Sequence, residues 1–159
     1  MAEQDNQNAE KRLSVVKIYV KDFSFESPMT PDVFNRQEWS PNTNLNLRSA
    51  HTSVSDTLHE VVLTITVDAK EKEDDKKTIF LVELQQAGLF EINGYNKEEM
   101  NAVVGSFCPN VLFPYARESI ASTIQKGGFP EFVMQPINFD ALYQQSLQQQ
   151  AEGAAAETH

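Results

Sequence analysis

The chain has 159 residues, 40% of them hydrophobic, and a formal net charge of −10. That length suits one domain with a modest core. The acidic balance argues against nucleic acid and anionic membrane surfaces and favours a partner with basic patches. The single cysteine, Cys108, cannot form an internal disulfide. Its apolar setting reads as a buried structural thiol in a reducing cytoplasm. The sequence lacks the roughly 18 consecutive apolar residues that a membrane-spanning helix needs.

Met1–Arg12 is polar, has no apolar signal-peptide core and reads as a disordered lead. A first strand is expected over about Leu13–Glu26. Val16, Ile18 and Val20 alternate in phase with Asp22, Ser24 and Glu26, whereas Tyr19, Phe23 and Phe25 take the other phase. Apolar side chains therefore change phase partway along. That requires either two covered faces or a β-bulge. Ser27–Thr43 holds Pro28, Pro31 and Pro41 together with Met29, Phe34 and Trp39. It is too long for a tight hairpin and reads as a crossover lying over the sheet.

A second strand is expected over Asn44–Ala50. The third is the clearest, with Val61, Leu63, Ile65, Val67 and Ala69 in strict alternation. Lys70–Lys77 is wholly charged and reads as an exposed turn. The fourth strand, Thr78–Ile92, puts Phe80, Val82 and Leu84 on one face and Leu81, Glu83 and Gln85 on the other.

Helical periodicity follows. Asn96-Lys97-Glu98-Glu99 has the form of a capping box, and Met100, Val103, Val104 and Phe107 make one stripe. Pro109 and Pro114 then predict a break, a rigid apolar joint between two helices. The second helix is expected over Pro114–Lys126, with Ala116, Ile120 and Ile124 in line and Gly127-Gly128 as its stop. Phe129–Pro136 is a second aromatic loop. A last helix begins near Asn138 or Phe139, with Phe139, Leu142, Tyr143 and Leu147 on one stripe. From Gln148 the composition is Gln-, Ala- and Glu-rich and reads as a tail. One domain is thus expected over 13–150, with a disordered lead over 1–12 and a disordered acidic tail over 151–159.

Four strands followed by helices predict an α+β fold with an antiparallel sheet. The helices cover one face. Apolar residues on the other face then call for a second subunit or a ligand.

Catalytic chemistry is not encoded in any pattern found here. His51, His59 and His159 are not spaced as a ligand pair, and no cysteine pair exists, so neither metal nor cofactor is expected. Ser106 lacks the second glycine of a nucleophile elbow. Asp22 and Glu26 stand too far apart on a strand for a carboxylate dyad. With Glu83 they read as a solvated acidic face that can meet a basic partner. The two aromatic loops either close the core or form an adaptable groove for apolar segments.

The segment Cys108-Pro109-Asn110-Val111-Leu112-Phe113-Pro114-Tyr115-Ala116-Arg117-Glu118 resembles the SecB family, the cytoplasmic export chaperones of Gram-negative bacteria. Ile18–Glu26, Glu60–Leu63, Phe80–Gln86 and Pro136–Leu142 support the resemblance, which covers about residues 14–150. The charged loop 70–77 and the tail after Gln150 depart from the family pattern. The resemblance implies a four-stranded antiparallel sheet with helices on one side, assembled as a dimer of dimers through the first strand. It implies a chaperone that holds unfolded preproteins and delivers them to the SecA ATPase. Asp22, Glu26, Leu81 and Glu83 match its SecA-binding positions. The C-terminal helix would meet SecA's zinc-bearing tail, so the zinc would be the partner's. Val82, Leu84 and Gln86 match positions tied to tetramer assembly. Phe34, Trp39, Phe129 and Phe132 are the candidates for the client groove. A SecB-like chaperone dedicated to one partner, such as an antitoxin, is the alternative.

Overall fold

The strictly alternating segment becomes β3 (Leu58–Lys70), and it lies at the centre of the fold beside β4 (Thr78–Asn93). The edges are β1 (Arg12–Glu26) and β2 (Asn42–Ser53). The sheet order is β1-β4-β3-β2, with every neighbouring pair antiparallel. The computed structural model describes residues 10–156, so residues 1–9 of the expected lead and 157–159 of the expected tail lie outside the described residues. Both β2 and β3 extend beyond their apolar alternation, because ladder pairing continues from Leu45↔Val67 outward to Asn42↔Lys70 and Ser53↔His59.

The phase change in β1 is resolved by bulges. Pairing with β4 slips between Val15 and Lys17 and again between Val20 and Asp22. Val16 and Lys21 are the extra residues. Directly opposed residues share a face, so Leu13, Val15, Ile18, Val20, Phe23 and Phe25 all join the face of Val82, Leu84 and Phe90. Asp22, Ser24 and Glu26 join the face of Leu81 and Glu83. A single-phase strand could not have done both.

One face is covered by helices, and the proline joint is not a break. Helix α1 (Lys97–Ala102) runs through a π-helical turn (Val103–Phe107) into α2 (Cys108–Lys126). Asn96 and Glu99 form the capping box expected at its start. The Cys108 N–H donates to the carbonyl of Val103, five residues back. That wider turn shifts the buried stripe by one position. Val103 is followed at a spacing of five by Cys108, then by Leu112, Ala116, Ile120 and Ile124, all buried. Phe107, expected on the stripe, is instead 42% exposed. Pro109 directly follows the π turn, as the second residue of α2. Pro114 lies inside α2. It and Asn110 face outward, where water can donate to the carbonyl that proline leaves free.

Helix α2 lies over β4 and β3. Leu63, Ile65, Val67, Val82 and Leu84 are fully buried beneath the helices, together with Leu112 and Ile120 of α2 itself. Each such side chain contributes roughly 1.5–3 kcal/mol. The exposed apolar residues are not where the pattern suggested. Val15, Val20 and Phe23 of β1 and Leu45 of β2 are exposed on the helix-bearing side, at edges the helices do not reach. The free face carries half-buried Leu58, Val62, Leu81 and Leu89 among polar neighbours.

The last helix, α3 (Phe139–Ala156), continues past Gln148 and Gln150. Gln, Ala and Glu are favourable helix formers, so a composition that reads as a solvated tail extends a helix already begun. Asn138 starts it, its Oδ1 accepting from the Ala141 N–H at 3.0 Å.

Gly88 lets helix α2 approach β4 closely. A Cβ there would lie 2.6 Å from a Phe90 ring carbon and 2.9 Å from a Leu112 methyl. Gly88→Ala therefore lowers stability by about 1–3 kcal/mol, the usual cost of overpacking. The readout is a lower urea midpoint at unchanged m-value. A wild-type midpoint would show that the helix can move away freely.

Candidate functional site

Two surfaces of opposite chemistry emerge from this packing. On the free face, Asp22 stands opposite Gln85, Ser24 opposite Glu83, and Glu26 opposite Leu81. Glu83 is thus flanked diagonally by both Asp22 and Glu26. Among the described residues no ion pair neutralises these three carboxylates. Glu83 accepts one hydrogen bond, from the Thr66 hydroxyl at 3.2 Å. The four residues that the sequence singled out for a partner are therefore one contiguous patch.

The patch ends at a neutralised cluster. Glu60, on β3, reaches across β4 to β1, where it accepts from the Tyr19 hydroxyl and from Lys21 Nζ at 2.9 Å. Burial, then the bond to Glu60, pushes the Tyr19 phenol up to about 12. The same Tyr19 and Lys21 bonds hold the Glu60 carboxyl below its ordinary value. Lys21 is the bulge residue, so the second bulge is anchored by an ion pair rather than left slack.

The second surface is aromatic and lies on the helix-bearing side, at the opposite end of β4 from Gly94. There Phe80 of β4 sits 5.0 Å from Phe129, centroid to centroid. Trp39 stacks on Phe80 at 6.4 Å with only 10° between planes, and lies 5.5 Å from Phe129. Phe34 meets Phe129 at 5.4 Å, and Phe25 meets Phe80 at 6.3 Å. Trp39 and Phe34 remain 41% and 49% exposed. The result is a platform of rings, packed beneath and open above.

Three local devices build it. The crossover joins opposite edges of the sheet, so it must pass over this end, and the 3-10 turn Asp32–Asn35 seats Val33 in the core beside Phe34. Helix α2 closes in a Schellman arrangement: Gly128 N–H donates to the Gln125 carbonyl at 3.0 Å, and Phe129 N–H to the Ile124 carbonyl at 3.2 Å. That turn aims Phe129 inward. Gly128 has φ +88°, and a Cβ there would lie 3.0 Å from the Phe34 ring.

Of the four groove candidates read from the sequence, Phe34 and Trp39 both meet Phe129. Phe132 packs against the core but joins no ring pair among the described residues. Phe25 and Phe80 were missed. Their signal was parity: once β1 is bulged, both fall on the helix-bearing face.

A family model described as preprotein translocase subunit SecB matches residues 6–150. The chain belongs to the SecB family. Protein-export protein SecB of Nitrosococcus oceani is 48% identical over 152 residues, covering 95% of this chain and 91% of the relative. That of Methylococcus capsulatus is 46% identical over 154 residues, covering 95% and 97%. Among solved structures, the Mycobacterium tuberculosis Rv1957 SecB-like chaperone, in complex with a ChAD peptide from the Rv1956 HigA1 antitoxin, aligns with a TM-score of 0.66. It is 14% identical and covers 79% of this chain and 91% of that one. At that identity the likeness bears on the fold alone.

The assembly positions implied by SecB need a correction as contact residues. Val82 and Leu84 are 0% exposed and Gln86 is 3% exposed within a single subunit. They lie under the helices, and Gln86 Nε2 donates to the Tyr19 carbonyl at 3.1 Å. They offer no surface to a second subunit.

The histidines also need a correction. His51 and His59, eight positions apart, meet across the β2–β3 hairpin, with His51 Nε2 and His59 Nδ1 at 2.8 Å. A hydrogen bond between the two rings accounts for the contact. Among the described residues no group of three or more potential metal-ligating side chains occurs. Burial, then the neighbouring His59, lowers the His51 pKa.

Cys108 is fully buried, and burial pushes its thiol up to about 12. It should resist thiol reagents at pH 8 in the native protein and react at once in urea. Rapid native labelling would overturn the structural reading of this cysteine.

Proposed function

We propose that the chain acts as a protein-export chaperone that captures unfolded, apolar client segments on the aromatic platform and docks SecA through the acidic face. The observation that carries this reading is the segregation of the two surfaces. Apolar capture and electrostatic docking use opposite faces of one sheet, so a client can be held while the carrier is handed over. The 46–48% identical relatives, named as protein-export proteins, support the same reading. The capture mode is broad because exposed ring faces accept many apolar side chains. None of this requires a nucleophile or a cofactor, and the reading is not enzymatic. Among the described residues no helix is long and apolar enough to cross a membrane, and we place the work in the cytoplasm. A chaperone dedicated to one antitoxin is the weaker reading, since it rests on a neighbour of only 14% identity.

The docking half makes a charge-specific prediction. Asp22→Lys and Glu83→Lys each weaken SecA binding about twofold to tenfold, the scale of an exposed ion pair lost or reversed. Client affinity stays near wild type. Because salt screens exposed charges beyond about 8 Å at physiological strength, SecA binding also falls more steeply with salt than client binding. Unchanged SecA affinity in both variants, or equal salt slopes, would refute the assignment.

Assembly completes the proposal. We infer a dimer of dimers joined along β1, with the exposed Val15, Val20 and Phe23 buried between subunits. Val20→Asp shifts the assembly from tetramer to smaller species in light scattering. An unchanged mass means that the β1 edge is not the seam.

A further inference from the structure

The segment that carries Trp39 is tied down at both ends to one corner of the molecule. Its downstream end enters β2, where Asn42 pairs with Lys70 at the last rung of β3. Its upstream end is Arg36, whose guanidinium pairs with Glu71, the very next residue. Residues 36–42 therefore form a closed loop on Lys70 and Glu71, with Trp39 near its middle.

Each anchor is itself held. Arg36 caps the 3-10 turn through its N–H to the Val33 carbonyl, and Val33 is in the core. Glu71 is fixed by its own N–H to the Lys77 carbonyl at 3.0 Å. The charged turn is in turn closed by Lys77 N–H to the Asp74 carbonyl at 3.1 Å, and by Lys76 N–H to Asp74 Oδ1 at 3.1 Å. The Glu71 side chain is 14% exposed and the Arg36 side chain 48% exposed, so the carboxylate is partly shielded while the guanidinium stays open to solvent. Both members of the pair line a cleft of about 600 Å³, whose walls also include Val33, Trp39 and Ile79.

We propose that Glu71, acting through Arg36, is a positioning residue for client capture: it straps residues 36–42 down so that Trp39 is pre-set on Phe80 and Phe129. This rests on the reading of the aromatic platform as the client site. With the pair intact, the indole is already ordered when a client arrives. Without it, the strap keeps only its backbone anchors at Val33 and Asn42, and ordering the indole opposes binding. The charged turn, which looked like mere solvated connection, becomes part of the capture machinery.

The test exploits the fact that Trp39 is the only tryptophan in the chain. The full protein is titrated with a reduced, alkylated and permanently unfolded protein, in wild type, Arg36→Gln, Glu71→Gln, the double reversal Arg36→Glu/Glu71→Arg, and Trp39→Ala. Both single variants are expected to weaken binding about threefold to tenfold, the cost of ordering one to two side chains. Their tryptophan emission shifts to the red and its anisotropy falls. The double reversal restores both affinity and emission, which a merely structural defect would not do. Unchanged emission in the single variants, unchanged client affinity, or failure of the double reversal to rescue would each overturn the strap. Trp39→Ala separates the two readings. If it leaves client affinity untouched, the platform is not the client site. If it weakens binding while Glu71→Gln does not, the platform stands and the strap falls.

Discussion

The architecture depends on keeping one strand's apolar side chains on one side. An edge strand as long as β1 (Arg12–Glu26) crosses the whole sheet, and its sequence changes phase on the way. Two extra residues, Val16 and Lys21, absorb the mismatch. Without them Ile18 and Val20 would turn to the free face, and Lys17, Tyr19 and Lys21 would be driven to the helix-bearing side. A lysine buried without a partner costs several kcal/mol. The bulges therefore keep the middle of β1 in phase with its apolar ends. The Glu60 bonds to Tyr19 and Lys21 hold the second bulge in register.

A matching adjustment occurs in the helices. The π turn inserts one residue between Val103 and Cys108, and the buried stripe then runs at intervals of four to Ile124. A regular helix would have carried Phe107 inward and turned Ile124 off the core. Ile124 is also the acceptor that fixes Phe129 in the closing turn. The phase set at the π turn is thus transmitted along α2 to the aromatic platform, some 20 residues downstream by the chain numbering. The Cys108–Glu118 segment, which carries the strongest resemblance to SecB, begins directly after this turn.

Legibility followed the range of the interaction. β3, β4, the capping box at Asn96 and the stop at Gly127-Gly128 were readable because alternation and capping are local. The acidic patch was readable for the same reason, since Asp22 and Glu26 share a phase within one strand and Glu83 sits in the matching phase of another. What was not readable depended on distant partners. Pro109 and Pro114 look like breaks until a π turn and an outward-facing carbonyl make them tolerable. His51 and His59 look unrelated until the hairpin register places them diagonally. Phe25 and Phe80 look like ordinary core until the crossover brings Trp39 and Phe34 over them. The helical extension of α3 was missed because composition reports solvation, not whether a helix already exists to be continued.

The corrected positions change how assembly should be understood in this chain. Val82, Leu84 and Gln86 are buried within the subunit, yet they lie beside β1 in the ladder: Val82 opposite Phe25, Leu84 opposite Phe23, Gln86 opposite Val20. Phe23 and Val20 are exposed on the same side. A change of volume at Leu84 or Gln86 therefore bears on the exposed β1 side chains directly opposite. Close-packed interiors transmit such strain rather than absorb it. The same ladder continues through Phe25 to Phe80 and the ring platform. Core residues, the exposed β1 side chains and the ring platform are successive positions along one pair of strands.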